Sequence, residues 1–317
     1  MRDKIIFGLI VFLECSSVFA AGPQGAAASN TPNISQNSQV SAWKDVPQAT
    51  AQCTEGARKQ SHYAKVRIST FHKDYRFSIE LLSTAAPNVV NTAMALHPNA
   101  HYIGNGPIFM EDSHPNGYVR SEGKTLAPLD CVHFRSNHGN VGHENSVFVR
   151  YLPKGHGMTN SDVWKYRVVS ADFLCRQLQP KAYVDWIKAH PDSGAKLDRD
   201  TADDLLDESQ IDFAIQSGPG VLRDDKNLLA GYNAGAPYRS YIGVNHDGNP
   251  VVVETDGLIG SYCLGDYLLT QGIRDLLHRD SFISDAAYRE SAGGQVTGYP
   301  TPNPNAKAAS LLVISPD

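Results

Sequence analysis

The sequence has 317 residues, of which 41% are hydrophobic and 19% are charged, and its formal net charge is -5. These values suit a soluble globular protein with one large or two small domains. The negative charge and the absence of any run of five or more like charges argue against a nucleic-acid-binding surface. Polyanions are therefore not expected as partners.

The N-terminus has the pattern of a cleaved secretory signal over residues 1–20. A short basic region precedes the apolar run Ile5–Leu13, which is too short to span a bilayer, and a small-residue site lies before Ala21. Cys15 offers a lipoprotein anchor as an alternative, but Glu14 fits that motif poorly. Residues 21–50 are predicted to be a disordered leader. One domain over 51–317 follows, secreted or periplasmic and without a membrane span.

Four cysteines remain after removal of the signal, namely Cys53, Cys131, Cys175 and Cys263. In an oxidising compartment they predict two disulfides, for which three pairings are possible. Buried free thiols are the alternative. Because no C-x-x-C motif occurs, a metal knuckle or a redox pair is not expected.

The elements that follow the leader are mostly strands, because apolar and polar residues alternate over most of the chain. Helical spacing is confined to a few short segments. The predicted elements are a hairpin at 63–82, a helix at 87–96, a strand ending at 104–107, a hairpin turning at 122–123, strands at 145–152 and 164–174, helices at 180–194 and within 198–212, a strand ending at 216, a hairpin at 238–257, a helix at 263–280 and a last strand at 309–315.

The segment FAIQSGPG, residues 213–220, begins as a buried strand that ends in Gln216 and runs into the turn Ser217–Gly220. A tight hairpin would use Asn-Gly or Asp-Gly, whereas this turn leaves polar groups at a strand tip. It is either part of a site or a corner whose glycines supply positive φ.

Several short motifs follow one another with strand-sized gaps. They are Gly104–Phe109, Pro115-x-Gly117, Glu122–Gly123, Gln216–Pro219, Arg239–Val244 and Asp256–Gly257. In this order they resemble the phosphodiester glycosidase domain family over residues 60–312. The resemblance implies an α+β fold with a mixed, largely antiparallel sheet core and packed helices. It also implies an active cleft where the Gly-rich strand ends converge.

Two motifs depart from the family pattern. Gly106–Pro107 replaces a Gly-Gly pair, which stiffens the backbone and removes one N–H. In the family's last motif, which falls at 284–299 in this sequence, Asp285 and Tyr288 are kept, but Arg289–Glu290 stands where the family has Leu-Asp. Glu290 either replaces the family's aspartate or marks a loss of catalysis.

The reaction implied by the resemblance is cleavage at the sugar C1 through an oxocarbenium-like transition state, with a phosphate as leaving group. An arginine fork and the N–H groups of a Gly-rich turn can hold the phosphate oxygens. The predicted catalytic residues are Glu290, Glu254 and Arg239, and the predicted substrate-binding residues are Asn105, Gln216, Ser217, Gly218 and Asp256. The alternatives are a plain hairpin turn at Asp256, a solvent-facing Glu254, a structural Arg239 and a left-handed turn at Asn105.

His133, His138 and His143 lie five residues apart, a spacing that matches neither a helical face nor a hydrolase motif such as H-E-x-x-H. We therefore expect a polar loop, with no metal and no cofactor. No Gly-x-Ser-x-Gly elbow occurs.

The sequence thus predicts an exported hydrolase that cleaves a glycosyl-1-phosphodiester in a glycan, a glycolipid or a cell-envelope polymer. Its partner is a glycan or sugar-phosphate substrate. The alternative is a catalytically inactive module of the same fold that binds a glycan or a phospho-sugar. A third candidate, a protein that acts on a protein partner through the His-rich loop, has little support.

Overall fold

A computed structural model of the chain describes residues 39–46, 64–107, 115, 117–131, 146–153, 164–189, 206–229, 235–236, 238–257, 259–281, 285–290, 293–299 and 307–316. Strands dominate these residues and pair largely antiparallel, with helices packed on the sheets. The predicted α+β class is confirmed.

The largest sheet has eight strands in the order β1-β3-β15-β14-β17-β11-β12, with β2 also on β3. These strands are β1 Gln39–Val40, β2 Lys44–Asp45, β3 Ala64–Thr70, β11 Gly220–Arg223, β12 Lys226–Asn227, β14 Arg239–Asn245, β15 Pro250–Gly257 and β17 Ile273–Ser281.

The second sheet has the order β19-β18-β5-β20-β4 and the third has the order β7-β6-β10-β8-β9, while β13 pairs with β16 alone. Their strands are β4 Arg76–Pro87, β5 Tyr102–Asn105, β6 Val119–Ser121, β7 Lys124–Ala127, β8 Ser146–Tyr151, β9 Lys165–Ser170, β10 Ile211–Ser217, β13 Gly235–Ala236, β16 Ile259–Gly260, β18 Ala286–Arg289, β19 Val296–Thr297 and β20 Lys307–Ser315. The helices are α1 Val89–Leu96, α2 Ala171–Leu178, α3 Pro180–Ala189 and α4 Ser261–Thr270, with a 3-10 turn at Glu208–Gln210.

The two faces of the eight-stranded sheet pack against different layers. Along β15, Val252 joins the aromatic core shared with the other large sheets, whereas Val251 and Val253 pack with α4. Successive side chains of a strand point to opposite faces, so neighbours in sequence enter different cores. This alternation decides which polar side chains can meet.

The predicted hairpin at 63–82 forms its two strands, but they do not pair with each other. Strand β3 lies in the eight-stranded sheet beside β15, and β4 lies beside β20 in the second sheet. Phe71 and Tyr75, in the connection between them, are buried with their ring centroids 5.6 Å apart. Because the connection is part of the core, it directs the chain from one sheet to the other.

The helix predicted at 263–280 is wrong in its second half. Helix α4 ends at Thr270, and Gly272 has φ +78°, a conformation that glycine adopts at low cost. Strand β17 then begins at Ile273 and crosses the centre of the eight-stranded sheet between β14 and β11. The acidic helix predicted within 198–212 lies partly outside the described residues, and its described end is the 3-10 turn at 208–210.

Residues 39–46 belong to the segment predicted as a leader, and they contribute β1 and β2, which pair with β3. Ser41 adds to this pairing, because its hydroxyl accepts from the Ile68 N–H at 3.0 Å. The rest of residues 1–50 lies outside the described residues. Within the described parts of the chain, no helix is long and apolar enough to span a membrane.

The third sheet is tied to α2 by a disulfide between Cys131 and Cys175, whose Cα atoms are 5.8 Å apart. Cys263 is also disulfide-bonded. Disulfide bonding is therefore confirmed over free thiols for these three cysteines, while Cys53 lies outside the described residues. It fits an oxidising compartment.

Replacing Cys131 and Cys175 together with serine should lower the free energy of unfolding by about 2–4 kcal/mol, because a loop of 44 residues regains its freedom in the unfolded chain. Urea denaturation of the double variant beside the oxidised wild type measures the difference. Equal midpoints in the two proteins would contradict this expectation.

Candidate active site

Glu254 is the centre of a polar cluster between the eight-stranded sheet and the second sheet. It lies on β15 directly opposite Ser240 of β14 and Arg67 of β3, and it is fully buried. Oε1 accepts hydrogen bonds from Tyr102 Oη at 2.6 Å and Ser240 Oγ at 3.1 Å, and Oε2 accepts one from Tyr299 Oη at 2.6 Å. Both carboxylate oxygens are thus surrounded by donors.

Arg279 is the buried cation that pairs with this carboxylate. Its Nη2 lies 3.1 Å from Glu254 Oε1 and also donates to Tyr102 Oη and Ser240 Oγ. Its Nη1 donates to the main-chain carbonyl of Asn105. Both ions are excluded from solvent, so their mutual attraction and these hydrogen bonds must offset their desolvation.

Burial raises the pKa of Glu254 from its ordinary value to about 7, although Arg279 and the hydrogen bonds from Tyr102, Tyr299 and Ser240 act in the opposite direction. The hydroxyls of Tyr102 and Tyr299 have their own pKa raised well above 10, chiefly by burial. They therefore remain protonated and donate to the carboxylate. A carboxyl group that titrates near neutrality is suited to acid–base chemistry.

Asn105 and Ser217, two predicted substrate-binding residues, both form hydrogen bonds with Arg279. The Asn105 carbonyl accepts from the guanidinium, and Ser217 Oγ donates to the Arg279 carbonyl at 3.3 Å. The Asn105 side chain joins two other segments, because Nδ2 donates to the Lys307 carbonyl and Oδ1 accepts from the Asp285 N–H. The motifs at 104–109 and 216–219 therefore meet at Arg279, and the Asn105 side chain joins the last motif to them.

Gln216 is buried, and its side chain holds a neighbouring loop. Oε1 accepts from the N–H groups of Tyr118 and Asp130, and Nε2 donates to the Asp130 carbonyl at 2.8 Å. In this structure its amide is engaged with main chain, so it shapes the third sheet around the turn.

The glycines of the 217–220 turn permit close packing and do not supply positive φ. Neither Gly218 nor Gly220 is in the left-handed region. A Cβ on Gly220 would overlap Ser146 Oγ, and the Gly218 carbonyl accepts from His278 Nδ1 at 3.1 Å. The turn is thereby pressed against β8 and β17.

Arg239 points away from Glu254, because it precedes Ser240 on β14 and so faces the opposite side of the sheet. Its Nη1 donates to Ser261 Oγ at the start of α4 and lies 3.4 Å from Tyr241 Oη. The Tyr241 ring packs on His278, which contacts Gly218. Arg239 thus lies on the side of the glycine turn, and the guanidinium beside Glu254 is that of Arg279.

The remaining predicted residues are more exposed. Asp256 is half-buried at the end of β15, on the same face as Glu254 and opposite Lys65. Burial and, secondly, the charge of Asp256 raise the pKa of Tyr238. Glu290 is exposed at the end of β18, whereas its neighbour Arg289 is buried and donates to four main-chain carbonyls around the end of α1.

Aromatic side chains cover Glu254 toward the strand ends. Half-buried Tyr299 donates to Oε2, and the ring of Trp43 packs on Tyr299 with centroids 5.4 Å apart. Trp43 also lies 5.4 Å from the Arg67 guanidinium, and Tyr238 packs edge-on against Tyr299. Residues 39–46 therefore place an indole over the outer side of the site.

The comparisons with known proteins bear on the fold. No protein-family model matches the chain, and no curated protein matches it. Its fold resembles a glycosidase catalytic domain. This is zebrafish N-acetylglucosamine-1-phosphodiester alpha-N-acetylglucosaminidase, described as auto-inhibited by its pro-peptide, with 13% identity and a TM-score of 0.52 over 90% of this chain and 85% of that one.

Two further structures have lower TM-scores. A hypothetical protein from Synechocystis has 12% identity and a TM-score of 0.46 over 87% of this chain and 61% of its own. A protein of Burkholderia pseudomallei described as exported has 12% identity and a TM-score of 0.49 over 80% and 74%. The zebrafish comparison establishes the fold alone, and that fold agrees with the one implied by the motif order.

No group of three or more His, Cys, Asp or Glu side chains that could hold a metal occurs among the described residues. His133, His138 and His143 lie outside them. The expectation that the His-rich loop holds no metal therefore stays a prediction from the sequence.

The raised pKa of Glu254 should make stability fall with increasing pH. Between about pH 4.5 and 7 the folded protein binds more protons than the unfolded chain, so this group removes about 3 kcal/mol from the free energy of unfolding over that window. Glu254→Gln, which does not titrate, should lose this part of the pH dependence. Urea denaturation at several pH values compares the two proteins, and identical profiles would contradict the expectation.

Removing Arg279 alone should leave a buried carboxylate without its cation. We expect Arg279→Met to lower the free energy of unfolding by about 3–5 kcal/mol, and Glu254→Gln in the same chain to recover part of that loss. A double-mutant cycle at about pH 8 measures the coupling. Strictly additive losses would show that the pair does not interact.

Proposed function

We propose that this protein is an exported hydrolase of a glycosyl-1-phosphodiester and that Glu254 is its acid–base group. The observation that carries the proposal is the buried pair of Glu254 and Arg279 at the meeting point of Asn105, Ser217 and the last motif. The fold of the zebrafish glycosidase supports the same reaction class.

The hydrogen-bond pattern favours the carboxylate form of Glu254 as the working form. Tyr102, Ser240, Tyr299 and Arg279 all donate to it, so both oxygens serve as acceptors. A carboxylate with a pKa of about 7 can take a proton from water or stabilise an oxocarbenium ion. A phosphate leaving group needs little protonation, so a base is needed more than an acid.

Access to this carboxylate requires that Tyr299 move, because its hydroxyl occupies Oε2. We propose that displacement of Tyr299 exposes Oε2 to water and to the sugar C1. Trp43 packs on Tyr299 and would hold the closed form, so residues 39–46 would act as a cover. The zebrafish enzyme is likewise described as auto-inhibited, by its pro-peptide.

The second candidate is a module of the same fold that binds a glycan or phospho-sugar without cleaving it. The exposed position of Glu290 favours this candidate if a second, buried carboxylate is needed for turnover. Saturable binding of a glycosyl phosphate without release of sugar would identify such a module.

If Glu254 is the base, kcat/KM for a glycosyl phosphodiester should rise with pH through an apparent pKa of about 7. Glu254→Gln should lower kcat/KM by about 100- to 10,000-fold, the range of general acid–base catalysis. Release of free sugar by the purified protein measures the rate. Glu290→Gln is the matched control, and if it caused the larger loss, the assignment of Glu254 would be rejected.

Trp43→Ala should raise kcat/KM several-fold, because loss of the indole frees Tyr299 to leave Oε2. Trp164→Ala is the control, because it removes an indole that packs on Arg150 and not on Tyr299. Its KM and the pH dependence of its activity should equal those of the wild type. The measurement is the rate of sugar release by both variants. A lower rate in Trp43→Ala with unchanged stability would show that Trp43 builds the site and does not cover it.

A further inference from the structure

The hydroxyl of Tyr288 has no hydrogen-bond partner, although the side chain is 1% exposed and lies among the described residues of the candidate site. The ring lies between two neighbours of Glu254. The Arg67 guanidinium carbon is 4.4 Å from its centroid, and the ring of Tyr102, directly opposite on β5, is 5.1 Å away.

Other buried or partly buried tyrosines in this core have partners for their hydroxyls. Tyr102 and Tyr299 donate to Glu254, and Tyr166 donates to the Lys73 carbonyl at 2.8 Å. A buried hydroxyl without an acceptor is destabilising, because it has lost water and gained nothing in return. A phenylalanine would fill the same space without that cost, so the hydroxyl calls for another explanation.

The surroundings of Tyr288 favour an anionic oxygen as the missing acceptor. The Arg67 guanidinium lies over the Tyr288 ring and Arg279 pairs with Glu254, while Glu290, whose charge also acts on Arg67, is exposed. Burial and, next, the charge of Glu254 raise the pKa of Tyr288 well above 10, so its hydroxyl keeps its proton and acts as a donor.

We propose that the Tyr288 hydroxyl is a ligand-binding donor that hydrogen-bonds a phosphoryl oxygen of a bound glycosyl phosphate. The proposal rests on the proposed function and adds a substrate-contacting residue to it. The phosphoryl group would then lie beside Arg67, and Tyr102, which packs on the Tyr288 ring, donates to Glu254. No bond is made or broken by Tyr288, which acts by holding charge.

The test is Tyr288→Phe, which removes one oxygen and keeps the ring. We expect a melting temperature higher by about 2–4 °C, because a buried unpaired hydroxyl is removed. We also expect affinity for N-acetylglucosamine 1-phosphate to fall by about tenfold or more, since a hydrogen bond to a charged group is lost. Greater stability with weaker binding is a combination that a purely structural tyrosine would not give.

Tyr166→Phe is the matched control, because it removes a hydroxyl that has a partner in the same core. It should lower the melting temperature and leave binding unchanged.

Isothermal titration with N-acetylglucosamine 1-phosphate, inorganic phosphate and N-acetylglucosamine separates the two halves of the ligand. Loss of phosphate binding in Tyr288→Phe supports the proposal, and loss confined to the free sugar overturns it. The titrations of wild type and of Tyr288→Phe are repeated in proteins that also carry Trp43→Ala, so that a covered site is opened.

The outcomes separate this proposal from the proposed function. Equal affinities of wild type and Tyr288→Phe for the sugar phosphate, or a lower melting temperature in the variant, overturn the role of Tyr288 while hydrolysis by wild type stands. Weaker binding by the variant, without sugar release by wild type, supports Tyr288 and rejects the hydrolase. Absence of binding by wild type, with and without Trp43→Ala, rejects the role of Tyr288, and release of sugar by wild type then decides the hydrolase separately.

Discussion

The ion pair between Glu254 and Arg279 is the interaction on which the rest of the site depends. Both side chains are completely buried between two sheets, where an unpaired charge would be strongly destabilising. The surrounding groups are therefore constrained: Tyr102 and Ser240 must donate, and the Asn105 carbonyl must accept. The segments that carry these groups come from β5, β14, β15 and β17, so the pair also fixes how the two sheets face each other.

The location of the pair explains why the site is closed in this structure. Burial raises the pKa of Glu254 into the neutral range, and the same burial excludes substrate unless a covering group moves. Tyr299 is the half-buried member of the donor set, and Trp43 packs on its outer side. The groups that could expose the carboxylate are thus those nearest the strand ends, while Tyr102 and Arg279 remain fixed in the core.

Much of the β-architecture follows from patterns that the sequence carries locally. Alternation predicted the hairpin of β14 and β15, and the Glu122–Gly123 turn joins β6 and β7 as expected, with both residues at positive φ. Arg279 was missed because the apolar residues after Thr270 were assigned to one long helix, although Gly272 marks its end. The partners of β3 and β4, which are β15 and β20, were also missed, since a short connection between two strands usually makes a hairpin and here passes through the core.

The sequence by itself determined the predominance of antiparallel strands, the disulfide bonding and the set of polar strand ends from which a site could be built. It did so because periodicity, turn chemistry and cysteine content act over a few residues. Only the tertiary structure decided which polar residues meet. Arg239 and Ser240 are adjacent in the chain, yet one faces α4 and the other faces Glu254, because neighbouring residues of a strand point to opposite sides of the sheet.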